Sequence, residues 1–185
     1  MKKCFSIILA VLLVLPVAAA AQLLPCTPPG SQFGGTFPAQ AELRDALGRT
    51  GTAEFNVTVE VSTTSHVSYQ IDISTIQFRG EGAVINSTST AAMFDAMGKA
   101  AVRRGVQLGH TQCPGSCAAP SYTEVWQPAC LIRNGSGLQT TFSICGPGCS
   151  ERRFAVCCPA PDLVDVSLVG GTKGQCNGSL CEPTY

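Results

Sequence analysis

Charge is scarce in this 185-residue chain: Asp, Glu, Lys and Arg make up 13%, with 12 acids balancing 12 bases. Such a balance offers no basic stripe for nucleic acid and no acidic run for a polycationic partner. Aromatic residues are few as well, 6% of the chain, and Trp126 is its one tryptophan. A carbohydrate platform needs several presented rings. Trp126, close to Cys130, reads instead as packing on a sheet or a disulfide, with Tyr69 and Tyr122 also inside strand-like segments. Histidine occurs twice, at His66 in a turn and His110 in a loop, and both read as solvated loop residues. No G-x-S-x-G elbow, H-E-x-x-H helix or phosphate-binding glycine loop is present, so the common catalytic signatures are missing. The acids, among them Glu54, Glu60, Asp72, Glu81 and Glu124, are scattered rather than paired as glycoside hydrolysis requires.

Long apolar runs are missing too, apart from one at the start. Lys2 and Lys3, the apolar stretch 7–17, and Ala19 and Ala21 before Gln22 form a secretory signal over residues 1–21. Residues 7–21, broken by Pro16, fall short of the roughly 20 apolar positions that a span needs. The Met-Lys-Lys opening is bacterial in style, and Pro25 before Cys26 argues against lipid attachment there. The mature chain, 22–185, carries 10 bases and 12 acids, a formal charge of −2. A secreted or periplasmic protein without a membrane span is expected.

Cysteine is what the chain has in excess: 11 in all, 10 once the leader is gone. An even number in an exported chain reads as a disulfide framework. It would be drawn from Cys26, Cys113, Cys117, Cys130, Cys145, Cys149, Cys157, Cys158, Cys176 and Cys181. Spacing does not choose among the many possible pairings. Cys113 and Cys117, like Cys145 and Cys149, are separated by three residues, which is not the C-x-x-C of a redox site. Cys157 and Cys158 are neighbours on a strand-like segment, where successive side chains point to opposite faces, so each is expected to find a different partner, one on each side of the sheet. Cys130 with Cys145, and Cys176 with Cys181, are candidate bridges. His110 with Cys113 and Cys117, or Cys145, Cys149, Cys157 and Cys158 together, have spacing that zinc tolerates. The oxidising compartment favours cystine over either set, so no metal and no cofactor is expected.

Residues 22–38 mix Pro25, Pro28, Pro29 and Pro38 with Gly30, Gly34 and Gly35 and show no period; an irregular arm stapled by Cys26 is expected. From 39 to 47, Leu43, Ala46 and Leu47 recur at helical spacing between Pro38 and Gly48, predicting a short helix. Phe55, Val57, Val59 and Val61 alternate with polar residues, and Val67, Tyr69, Ile71 and Ile73 repeat the pattern beyond a polar turn at 62–66. That is an antiparallel hairpin with one buried face. Ile76 and Phe78 fall on the opposite parity, predicting a bulge near Ser74 and Thr75.

Over 87–105 the period becomes helical. Met93, Met97 and Ala100, with Phe94 and Ala101, share a face, and Ser87, Thr88, Ser89 and Thr90 offer N-cap oxygens. Arg103 and Arg104 complement the dipole before Gly105. Met93 and Met97 read as gap-filling core residues. Further on, 122–132 and 138–145 flank the turn Asn134-Gly135-Ser136-Gly137, and 152–158 follows Gly146-Pro147-Gly148. These three segments predict a meander, with another short strand at 162–169. Sequons begin at Asn56, Asn86, Asn134 and Asn177; in a bacterial product they read as chance occurrences, in a eukaryotic one those in loops as glycan acceptors.

The expected fold is α+β: an antiparallel β-hairpin plus one main helix packed on a disulfide-stapled antiparallel β-meander. A single domain is expected over 39–185, with a Cys-free hairpin and helix part at 39–111 and a Cys-rich β part at 112–185. The expected role is a non-catalytic structural or interaction protein of the bacterial cell envelope or its surroundings, its partner another extracellular protein or an envelope component. The first alternative is an inhibitor of an extracellular enzyme that presents rigid loops at 134–137 or 145–149. The second is a small exported hydrolase using His66 or His110.

Overall fold

The computed structural model describes residues 26–62 and 66–185; the secretory signal expected at 1–21 lies outside them. In chain order the elements are strands β1 (Ser31–Arg44), β2 (Thr50–Ser62) and β3 (Val67–Gly80), helices α1 (Gly82–Ser87) and α2 (Thr90–Gln107), then β4 (Ser121–Pro128) and β5 (Cys130–Asn134). A 3-10 turn (Gly137–Gln139), β6 (Thr141–Ile144), β7 (Cys149–Ala160), β8 (Leu163–Thr172) and β9 (Glu182–Pro183) complete the chain. Six strands form one sheet in the order β1-β2-β3-β4-β7-β8, and three form a second, β6-β5-β9. All neighbours are antiparallel except β3 and β4. A parallel pair needs a long crossover, and α1 with α2 supplies it.

β1 overturns two expectations at once. The arm expected to be irregular over 22–38 becomes strand from Ser31, and the helix expected over 39–47 is the second half of the same strand. Phe37, Ala39, Ala41 and Leu43 are buried while Pro38, Gln40, Glu42 and Arg44 are exposed, which is period two. Leu43 satisfies either period, and the exposure of Leu47 shows which one the tertiary structure selected. Proline cannot donate to a ladder, and β1 is an edge strand, where Pro38 costs nothing. The register shifts between Phe33 and Gly35, and Gly35, at φ +134°, occupies backbone space that favours glycine. The expected boundary at residue 38 therefore falls inside β1.

The hairpin forms as expected, with Val57 opposite Ile71 and Val59 opposite Tyr69. The bulge is also present: the register jumps between Glu54 and Asn56, and the Asn56 N–H donates to Thr75 Oγ1 at 2.8 Å. α2 starts at Ser89, whose hydroxyl accepts from the Ala92 N–H at 3.2 Å. Met93, Phe94, Met97, Ala101 and Val102 are buried against the sheet. Two glycines permit the close approach. A methyl on Gly98 would lie 2.9 Å from the Phe154 ring, and one on Gly105 would collide with the Tyr69 hydroxyl.

The expected meander is divided between the two sheets. The segment 122–132 breaks at Pro128 and Ala129: β4 stays in the large sheet, while β5 pairs with β6 and β9. Pro128 lacks the N–H that would extend its ladder, and Ala129 turns to receive the tail, donating to Gly148 O and accepting from the Thr184 N–H. β5 and β6 make the hairpin expected around 134–137, and Phe142 from β6 meets Phe78 and Phe94 edge-on. β7 pairs with β4 and β8 instead of β6. The Cys-free and Cys-rich halves thus share one sheet, joined along β3 and β4 by three rungs from Ser68–Glu124 to Gln70–Trp126.

Candidate functional site

Five disulfides join the described cysteines: Cys26–Cys149, Cys113–Cys158, Cys117–Cys157, Cys130–Cys176 and Cys145–Cys181, with Cα separations of 5.1–5.9 Å. The vicinal Cys157 and Cys158 do take different partners, both in the loop 113–117, which straddles the end of β7. The Cys158 N–H also donates to Pro114 O at 2.8 Å. Neither candidate bridge forms. Cys130 and Cys145 lie beside adjacent strands, but each reaches into the C-terminal loop, to Cys176 and Cys181 respectively, so no Cys176–Cys181 link closes that loop on itself. The reason lies in β9, whose pairing with β5 carries the loop back across the small sheet.

These bridges decide what the sulfurs can do. The four cysteines of one zinc set sit in four separate bridges, and Cys113 and Cys117 of the other sit in two. Cys117, Cys157 and Asp165 have ligand atoms within 4.8 Å of one another, yet both sulfurs are bonded together and a zinc site requires thiolates.

The two histidines stand on opposite sides of the large sheet. His110 is exposed and stacks on Phe37 at 5.8 Å on the α2 side, beside the buried Tyr69–Thr111 hydrogen bond. Burial pushes the Tyr69 phenol up to about 12, and the hydrogen bond to Thr111 opposes that rise. His66 lies on the outer face, where its Nε2 is 3.8 Å from Glu124 Oε2. Glu124 also accepts from Trp126 Nε1 at 3.4 Å and from Arg153 Nη2 at 3.4 Å, and Arg153 reaches on to Glu151 at 3.3 Å. Register produces this network: Ser68, Glu124 and Arg153 form one cross-strand row, Gln70, Trp126 and Glu151 the next. Trp126 is half-buried within this polar network. Sequence reasoning left Glu124 among the scattered acids and Trp126 packing on a sheet or a disulfide, and had no means of placing Arg153, which arrives from β7.

The segment 26–31 crosses this outer face. Cys26 is bonded to Cys149 at the start of β7, and Ser31 Oγ lies 3.1 Å from Glu60 Oε2 on β2. Glu60, Ser68 and Gln70 on the same face are buried, and Gln70 Oε1 has no hydrogen-bond partner among the described residues.

Arg152, one residue before Arg153, points the other way. Its guanidinium pairs with Asp95 at 3.2 Å, donates to Ala91 O and Thr184 O, and lies 4.8 Å above the Tyr185 ring. Burial draws the Arg152 pKa down, and Asp95 and Tyr185 oppose that shift. It anchors the C-terminal tail to the first turns of α2, a structural role that the sequence did not reveal.

The loop 145–149, expected as a presented loop, is tied at Cys145 to Cys181 and at Cys149 to Cys26, and exposes Pro147 between them. It lines a small concavity with Cys130 and Gln175. The turn at 134–137 is held by the Gly137 N–H donating to Asn86 Oδ1 at 2.6 Å.

No family model matches this chain, and neither a curated protein nor a solved structure matches it. No helix among the described residues is long and apolar enough to cross a membrane. Five disulfides are the pattern of an oxidising compartment, periplasmic or extracellular.

Proposed function

We propose that the protein is a non-catalytic interaction module of the bacterial cell envelope or its surroundings, exported and then made rigid by its disulfides. The observation that carries this reading is the pairing of Cys26 and the nine cysteines from Cys113 onward into five bridges, which removes every one of those sulfurs from nucleophilic or ligand chemistry. The separation of His66 from His110 by the sheet adds support, because neither can serve as the other's partner. Rigid surfaces bind with little ordering cost, and a cross-linked scaffold keeps its surfaces outside the cell.

Two measurements test it. Free-thiol titration of the oxidised mature protein is expected to find no reactive sulfhydryl among these ten. Capture of envelope components by the immobilised protein is expected to survive His66→Ala and His110→Ala and to fail after reduction and alkylation. A hydrolytic activity abolished by either histidine substitution would overturn the reading in favour of a small exported hydrolase.

One alternative has its own observation. The loop 145–149 is clamped at both ends by bridges to different segments, the arrangement an enzyme inhibitor needs. Capture of an extracellular protease or hydrolase, lost on Pro147→Ala, would favour it.

A further inference from the structure

The large sheet ends in two edge strands that are not equally protected. Edge strands present unpaired N–H and C=O groups, and natural sheets blunt them with proline, lysine, bulges or charge. β1 carries Pro38, the break at Gly35, and Glu42 and Arg44. β8 has neither proline nor a basic residue over its ten positions, and its one charge is Asp165. It nevertheless exposes Leu163, Leu168 and Val169. The bulge in β8 falls at Val169, because Arg153 pairs with Gly170 and Phe154 with Leu168, and the second shift, between Cys157 and Ala160, puts its extra residue in β7, so β8 itself carries no inserted residue over 163–168.

We propose that β8 is the interface for a second copy of this chain, the two β8 strands pairing antiparallel about a two-fold axis through Val166. Register against β7 sets Val164, Val166 and Leu168 on the α2 face and Leu163, Asp165 and Ser167 on the outer face. A two-fold axis normal to the sheet pairs residues of the same face. About Val166, Val164 meets Leu168 of the second copy twice and Val166 meets its own counterpart. On the outer face Asp165 meets Ser167 of the second copy twice, a carboxylate facing a hydroxyl donor. Moving the axis to Asp165 would oppose two like charges, and moving it to Ser167 would bring the bulge into the ladder. Side-chain chemistry therefore selects both the orientation and the register. The α2 layers of the two copies lie on the same side, and the half-exposed Leu168 is covered. This deepens the interaction-module reading by naming a surface and a partner.

Sedimentation equilibrium of the oxidised mature protein is the test. Twice the monomer mass is expected at concentrations above about 1–10 μM. Leu168→Lys and Ser167→Asp are each expected to weaken dimerisation about tenfold or more, since Ser167→Asp sets carboxylate against carboxylate. The double variant Asp165→Lys/Ser167→Asp is expected to restore it by pairing opposite charges across the axis. The three altered positions are solvent-exposed in the monomer, and unchanged near-ultraviolet circular dichroism checks that each variant folds. A protein that stays monomeric throughout, a dimer indifferent to these substitutions, or an edge that takes up a foreign extended peptide in place of a second copy would each overturn self-pairing. Envelope capture by a protein that remains monomeric would remove the dimer and leave the module reading standing.

Discussion

Tyr69 sits where three elements meet: its ring is edge-on to Phe37 at 5.8 Å, its hydroxyl is bonded to Thr111, and Gly105 of α2 makes room for it. The folded protein holds the phenol proton to about 12, against an ordinary value of 10.0. Stability from this source is therefore complete below pH 10 and is lost as pH rises from there towards 12. Raising a phenol from 10.0 to about 12 corresponds to at most about 3 kcal/mol. Tyr69→Phe is expected to flatten that alkaline decline in urea titrations, while costing about 1 kcal/mol at neutral pH through the lost hydrogen bond. A decline of unchanged slope would place its origin elsewhere. Gly105→Ala addresses the same contact from the helix. An added methyl collides with the Tyr69 hydroxyl, so thermal unfolding should show a loss of about 1–3 kcal/mol, even though alanine favours helix. Neither residue announced this meeting in the sequence, because Tyr69 and Gly105 lie in different periodic segments.

At the scale of elements, the loop 113–117 and the end of β7 are joined by nested bridges, Cys113–Cys158 around Cys117–Cys157. Either alone closes the long loop between them, so the second adds only the closure of a short one. Chain-entropy reasoning gives about 4 kcal/mol for the long closure and about 2 for the short. Replacing Cys113 and Cys158 together by alanine is expected to cost about 2 kcal/mol, as is replacing Cys117 and Cys157, while removing both bridges should cost about 6. Guanidinium unfolding of the three variants checks this; strictly additive losses would contradict it. Elements with a clean period, β2, β3 and α2, were legible in the sequence. α1 was not, being six residues long and too short to show a repeat. β1 was misread because alanine and leucine fit helix and strand spacing equally, and only its pairing with β2 resolves the choice. The split between β4 and β5 was hidden for a similar reason: Pro128 ends a ladder only once there is a ladder to end.

For the whole molecule, the seam between β3 and β4 is the weak line, with three rungs of parallel pairing. It is bridged by α2, which reaches both β1 and β8, by the Thr123 hydroxyl, which donates to Val67 O at 2.8 Å, by the His66–Glu124 contact, and by the segment 26–31, which ties Glu60 of β2 to Cys149 of β7. Replacing Cys26 and Cys149 by alanine is expected to cost about 2–4 kcal/mol. It should also speed amide exchange at Tyr69 and Val125 more than at Val57 and Ile71. Uniform acceleration across the sheet would mean that the bridge acts on the unfolded chain alone and does not brace the seam.

The sequence alone determined what depends on local chemistry: alternating apolar residues that bury one face of a hairpin, an N-cap ahead of a helical face, and a surplus of cysteine of the kind that oxidising surroundings turn into disulfides. Tertiary structure alone decided which sulfur meets which, that both halves share a sheet, and that Glu124, Arg153 and His66 converge. Those outcomes depend on contacts between residues far apart in the chain, and their energies are set by burial and register that no single segment encodes.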